Sequence, residues 1–306
     1  MFDNNQDSGA PLPEMSGDFG AKKSFFQKIF SKSETAIPII LIVILLIVLV
    51  FAFSGWDYSQ VPLIGGTLQT LFGAKTYQVL IIGQPLPQTK DTIYGNRDFE
   101  KYYNFVPRTA DELGESPETV LKHYDFVILD QSNSTTQMGA LKAIPRQLAE
   151  ALKSYVASGH SMIIVGNSAH LEAHFPDAYG WKRMFGDIVP VDCTENTSIL
   201  SPCEEGSARP IPAVIYTTGS NPLSSDTVKI PSQAFQLTGQ PYLELTVYPV
   251  NQFGDEWAYI KDVRTKDTYT GIVAQGNILG GKVVYISYPE YYLTPDLMQR
   301  IFEYVR

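Results

Sequence analysis

Three stretches decide the fold: Phe126–Leu129 (FVIL), 141–159 (LKAIPRQLAEALKSYVASG) and Ser161–Val165 (SMIIV). The first and third are short, uninterrupted apolar runs, closed by Asp130 and Gly166. Such runs are the pattern of parallel strands buried on both faces. Between them, Leu141, Ile144, Leu148, Leu152, Tyr155 and Val156 recur in steps of one helical face, and Gly159 supplies a C-terminal stop. Strand, helix, strand at this spacing predicts a right-handed βαβ unit and a parallel sheet.

Working outward, Tyr77–Ile82 (YQVLII), closed by Gly83, predicts another buried strand, and 282–287 (KVVYIS) a further one. The segment TPDLMQRIFEYVR predicts a helix with Thr294 as N-cap and Pro295 at its first position. From about 187 to 275 the chain turns rich in Pro, Thr, Ser and Tyr. Its short β-prone runs, AVIYTT, YLELTVY, EWAYIKDV and GIVAQ, predict an antiparallel insertion. Doubly wound sheets bind ligands at the carboxyl ends of their strands. Those ends carry Gln84, Asp130, Asn167, Ser168, His170, Tyr288 and Glu290, which become the candidate binding residues of one rim.

Residues 36–53 (AIPIILIVILLIVLVFAF) carry no charge and span roughly 27 Å as a helix, the thickness of a bilayer core. Trp56 and Tyr58 suit the interface that follows. Lys22, Lys23, Lys28 and Lys32 precede the span, and no Lys or Arg follows before Lys75. The positive-inside rule then places residues 1–35 in the cytoplasm as a mostly disordered tail, 36–55 in the bilayer as an uncleaved signal anchor, and the rest outside. Residues 56–75 read as a spacer and 76–306 as an extracytoplasmic domain in a cell membrane. In that compartment Cys193 and Cys203 are expected to pair, closing a short polar loop for about 3 kcal/mol. Asn133 and Asn196 begin N-x-S/T triplets on the side where glycosylation occurs.

The chain has 306 residues, 44% hydrophobic and 18% charged, with a formal net charge of −9. That balance argues for a folded domain and against nucleic acid, whose phosphates need clustered Lys and Arg. Only two cysteines are present, and their spacing excludes CxxC metal or redox motifs. The reading calls for no cofactor.

Gly166-Asn167-Ser168-Ala169-His170 and Tyr288-Pro289-Glu290, followed by Thr294-Pro295, resemble two segments of the class I glutamine amidotransferase-like superfamily. In that family a G-x-C-x-G elbow presents a nucleophilic cysteine, and a late strand ends in His-Pro-Glu. The resemblance covers 76–188 and 276–306 and implies a flavodoxin-like parallel sheet with the β-rich region inserted. It implies glutaminase chemistry only where the motifs match, and here Ser168 stands for Cys and Tyr288 for His. The loop after Asp130, QSNSTT, lacks the paired glycines of an oxyanion hole, and Glu290 alone keeps the family's letter. The run LKSYVASGHSMIIVG is similar to the trehalose-utilisation-type and transporter-associated branches, some of which stand outside the membrane beside transport machinery. The implied function is a non-catalytic binding or assembly module, held by the bilayer through 36–55, with a membrane or cell-surface protein as partner.

Two enzymatic readings compete. His170 and His174 stand at i and i+4, the spacing of zinc ligands on one helical face, with Asp130 or Glu290 available across the rim. Ser168 with His170 could be a hydrolase pair, although residues at i and i+2 diverge on a helix. If the rim is a retired site, replacing Ser168 by Ala is expected to leave folding nearly unchanged.

Overall fold

Alternation of buried side chains to two faces builds the centre of the molecule. A computed structural model describes residues 75–114, 116–133, 143–172, 175–193, 209–219, 221–223, 241–277 and 280–306. These fall within one unit, Ala74–Arg306. The expected tail, membrane anchor and most of the spacer, together with His174, Asn196 and Cys203, lie outside the described residues. Among the described residues no helix is long and apolar enough to cross a membrane.

The described strands are β1 (Tyr77–Ile82), β2 (Tyr103–Arg108), β3 (Phe126–Leu129), β4 (Ala143–Ile144), β5 (Ser161–Val165), β6 (Leu171–Glu172) and β7 (Phe175–Tyr179). They continue as β8 (Val191–Cys193), β9 (Arg209–Thr217), β10 (Leu243–Val247), β11 (Val250–Gln252), β12 (Asp255–Asp262), β13 (Thr268–Gly276) and β14 (Lys282–Ile286). The longer helices are α1 (Pro117–Leu121), α2 (Arg146–Ala157), α3 (Trp181–Phe185) and α4 (Pro295–Val305).

Nine of these strands form one sheet in the order β10-β9-β12-β13-β14-β5-β3-β1-β2. From β14 to β2 every pairing is parallel, and from β14 to β10 every pairing is antiparallel. The molecule is therefore mixed α/β, as the apolar runs and the helix between them predict. The antiparallel region is not a separate layer: four of its strands carry the same sheet onward past β14.

Successive residues of a strand point to opposite faces. Val79, Ile81, Phe126, Ile128, Ile163, Val165, Val284 and Ile286 pack on one side with α4 and the ring cluster of Phe99, Tyr103 and Phe302. Leu80, Ile82, Val127, Leu129, Met162, Ile164, Val283 and Tyr285 pack on the other with α2 and α3. Thr294 caps α4 as expected, its side chain accepting from the Leu297 N–H.

Two local expectations fail. The helical pattern traced from Leu141 through Ile144 begins only at Arg146, and Ile144 sits in β4 instead. Pro145 explains this: it disfavours helical backbone at the residue before it, and it serves as the extended N-cap of α2. The second failure is the segment after Ser168, which forms a turn and then the β6–β7 hairpin instead of a helix. A helix starting there would carry Pro176 in its interior, where it removes an N–H and clashes with the preceding turn. Leu171–Glu172 is strand, so no helical face begins at His170, while His174 lies outside the described residues.

Candidate functional site

The parallel strand order reverses between β1 and β3, so the switch point lies where Gly83-Gln84 and Asp130-Gln131 leave the sheet. Gly83 has φ of 120°, and a Cβ there would stand 2.4 Å from the Asp130 carbonyl oxygen. Only glycine lets the two loops approach this closely. The loops are then stitched together. The Asn133 N–H donates to the Gln84 carbonyl, and the Leu86 N–H donates to Ser132 Oγ. Ser132 donates in turn from its Oγ to Asp130 Oδ1 at 2.5 Å.

At the end of β5 the chain reverses through Gly166 and Ala169, with φ of 58° and 55°. Left-handed backbone costs a residue with a Cβ about 1 kcal/mol. The turn is held by Gln131, whose Oε1 accepts from the Ala169 N–H at 2.8 Å. The Gln131 N–H donates to Ser168 Oγ, also at 2.8 Å. Ser168 thus joins two loops; His170 is not its hydrogen-bond partner in this exchange. His170 Nδ1 donates to the Asn167 carbonyl, and its ring lies 6.1 Å from that of Trp181. Trp181 Nε1 donates to the Ser168 carbonyl at 2.9 Å.

After β14, Tyr288 and Glu290 face inward. The segment 87–94 packs on 290–292, and Tyr94 donates its hydroxyl to Glu290 Oε1 at 2.7 Å. Asp130 and Glu290 stand within hydrogen-bonding reach of each other. Asp130 Oδ2 and Glu290 Oε2 are buried and accept no hydrogen bond. A proton shared between the two carboxyls would satisfy both oxygens. Burial pushes both carboxyls above the ordinary range. The charge on Asp130 pushes Glu290 further, while the Ser132 hydrogen bonds pull Asp130 back. Burial also raises the Tyr94 and Tyr288 hydroxyls, so neither is a proton acceptor at neutral pH.

The rim therefore gathers Asp130, Asn167, Ser168, His170, Tyr288 and Glu290, as the strand ends predict, but it closes over them. None of these six is more than 4% exposed. Gln84 stays at the surface. Among the described residues no three of His, Cys, Asp and Glu converge as a metal would require. Cys193 is not a free thiol, but its expected partner Cys203 is outside the described residues and the pairing stays an expectation. Asn133 is half-buried.

Sequence reading missed Tyr94, Gln131 as a bracket, and Trp181. Gln131 had a signal, its place beside Asp130 at a strand end. Tyr94 had none, because its contact with Glu290 spans 196 residues.

Fold and site define the class: an α/β protein with a parallel half-sheet, an antiparallel extension and an internally paired polar rim. No family model matches the chain, and no curated protein matches it. Solved structures with some likeness include the GH42 beta-galactosidase Gan42B, at 15% identity and a TM-score of 0.44 over 78% of this chain and 32% of that one. An exo-beta-1,4-mannosidase, Op5Man5, from Opitutaceae bacterium strain TAV5 gives 9% and 0.34 over 78% and 36%. A glutamine amidotransferase from Thermotoga maritima gives 13% and 0.32 over 74% and 81%. The chain spans about a third of the length of the two glycosidases. At such scores neither substrates nor catalytic residues transfer to this chain.

Proposed function

We propose that this chain is a membrane-anchored, extracytoplasmic binding or assembly module whose amidotransferase-like rim no longer performs catalysis, and that its partner is a membrane or cell-surface protein. The observation that carries the reading is the closed Asp130–Glu290 pair. Acyl transfer needs an activated nucleophile, a base within reach and oxyanion donors. Ser168 Oγ instead accepts a backbone N–H, Tyr288 holds its proton, and Glu290 is occupied by Tyr94 and Asp130.

With the rim closed, partner contact falls to exposed aromatics of the antiparallel extension. Phe253 is 62% exposed and Tyr216 43%, and Tyr216 stacks on Tyr259 with ring centroids 5.4 Å apart. Aromatic rings of this kind are common anchors of protein interfaces. The test is purification of the full chain in mild detergent with identification of bound proteins, alongside a fluorophosphonate probe for an activated serine. A specific membrane partner lost on Phe253→Ala or Tyr216→Ala supports the module. Labelling of Ser168 that disappears in Ser168→Ala, or stoichiometric zinc in the purified chain, establishes the enzymatic alternative instead.

A further inference from the structure

A second charged site lies between α2, α3 and β6 and shares no residue with the rim. Arg146, Ala149 and Glu150 share one face near the start of α2, in steps of three and four. Arg183 and Met184 of α3 face them, and Glu172 of β6 completes a cleft of about 130 Å³. Glu172 is 7% exposed, and its Oε1 is buried without a hydrogen bond. Neither Arg146 nor Arg183 pairs with it among the described residues, although both line the same cleft.

An isolated buried carboxylate costs several kcal/mol, so the floor of this cleft calls for a compact cation with N–H donors. Its mouth calls for the opposite charge. Two guanidiniums stand there, and the first turn of α2 has no acidic residue and no side-chain cap, leaving its N–H groups and dipole open to an anion. Glu150, at the same mouth, has Lys153 at 3.9 Å. Among the described residues the four charges that line the cleft sum to zero, so a ligand of zero net charge leaves that balance intact. At about 30 Å³ per water, the volume equals roughly four waters, which suits a molecule of very few heavy atoms.

We infer that this cleft binds a small zwitterion, a free α-amino acid of the size of glycine or alanine, with its ammonium on Glu172 and its carboxylate between Arg146 and Arg183. The separation of charge in the ligand matches the separation in the cleft. A cleft of about 130 Å³ favours the smallest side chains.

Calorimetric titration of the full chain in mild detergent tests this with glycine, alanine, leucine, methylammonium and acetate. Glycine or alanine is expected to bind saturably, and leucine, methylammonium and acetate about ten-fold more weakly or not at all, each having lost a charge-assisted contact or the fit. Glu172→Gln and Arg183→Met should each weaken glycine about ten-fold. Arg183 is exposed, so its variant tests the site even if Glu172→Gln perturbs the fold. Absence of saturable binding up to millimolar concentration, equal binding of methylammonium and glycine, or binding indifferent to Arg183→Met overturns the assignment.

Discussion

Glu290 is the residue on which the rim's behaviour turns. Its carboxyl is raised by burial and by Asp130, so the folded chain holds a proton that the unfolded chain releases. The sign follows from linkage: stability falls with pH wherever the folded state binds more protons. The contribution of the protonated pair is complete below the unfolded glutamate value of about 4.3 and is lost as pH rises through the folded value. In Glu290→Gln the amide donates to Asp130 as the acid did, and its oxygen accepts from Tyr94. Denaturant melts of that variant are expected to show a flatter pH profile than the parent and at least about 1 kcal/mol more stability above neutral pH. Parallel profiles would mean that the two carboxyls do not share a proton. Ser168 behaves differently from what a retired nucleophile suggests. Removing its hydroxyl leaves the buried Gln131 N–H without an acceptor, so Ser168→Ala is expected to lower stability by about 1–3 kcal/mol, against the neutral outcome read from sequence. Chemical denaturation measures it.

At the scale of elements, what was legible and what was not separates cleanly. β1, β3, β5 and β14 announce themselves as apolar runs because a strand buried on both faces has no polar side to interrupt it. α4 announces itself through Thr294, Pro295 and its apolar spacing. Thr294→Ala removes the acceptor for the Leu297 N–H and should cost about 1 kcal/mol in an unfolding titration, with the sheet's circular dichroism unchanged; no change in midpoint would mean that water replaces the cap. The elbow could not be read this way. Gly-Asn-Ser-Ala-His is compatible with a helix start, and the decision against it is made by Pro176, by left-handed Ala169 and by the bracket from Gln131. The last two are tertiary facts that local propensity does not contain. The strand ends predicted which residues meet, because topology sets that. They did not predict that the meeting place is sealed, because the seal is the 87–94 segment, which carries no periodic signal.

For the whole molecule, the proposed anchor and the direction it implies across a bilayer are tested together. A membrane-impermeant thiol reagent on intact cells should label a cysteine introduced at Ser59 and leave one at Ser24 untouched. The reverse pattern would place the folded unit in the cytoplasm, and with it would go the case for the Cys193–Cys203 bond and for glycosylation at Asn133 and Asn196. The acidic balance of the chain agrees with a partner that is protein and not nucleic acid, since phosphate contacts need a basic face.

The position of β14 has a consequence for how the chain is made. It is the only described strand that pairs with both halves of the sheet, parallel to β5 and antiparallel to β13. It also follows every other described strand in sequence, and the Lys282 N–H reaches Ser161 Oγ across 121 residues. Until residues 282–286 emerge from the ribosome, β5 and β13 are open edges, each ready to pair with a neighbouring chain. Pairings this distant in sequence also form slowly. The nascent protein therefore travels as two adhesive half-sheets. That exposure ends when one five-residue strand slides between them.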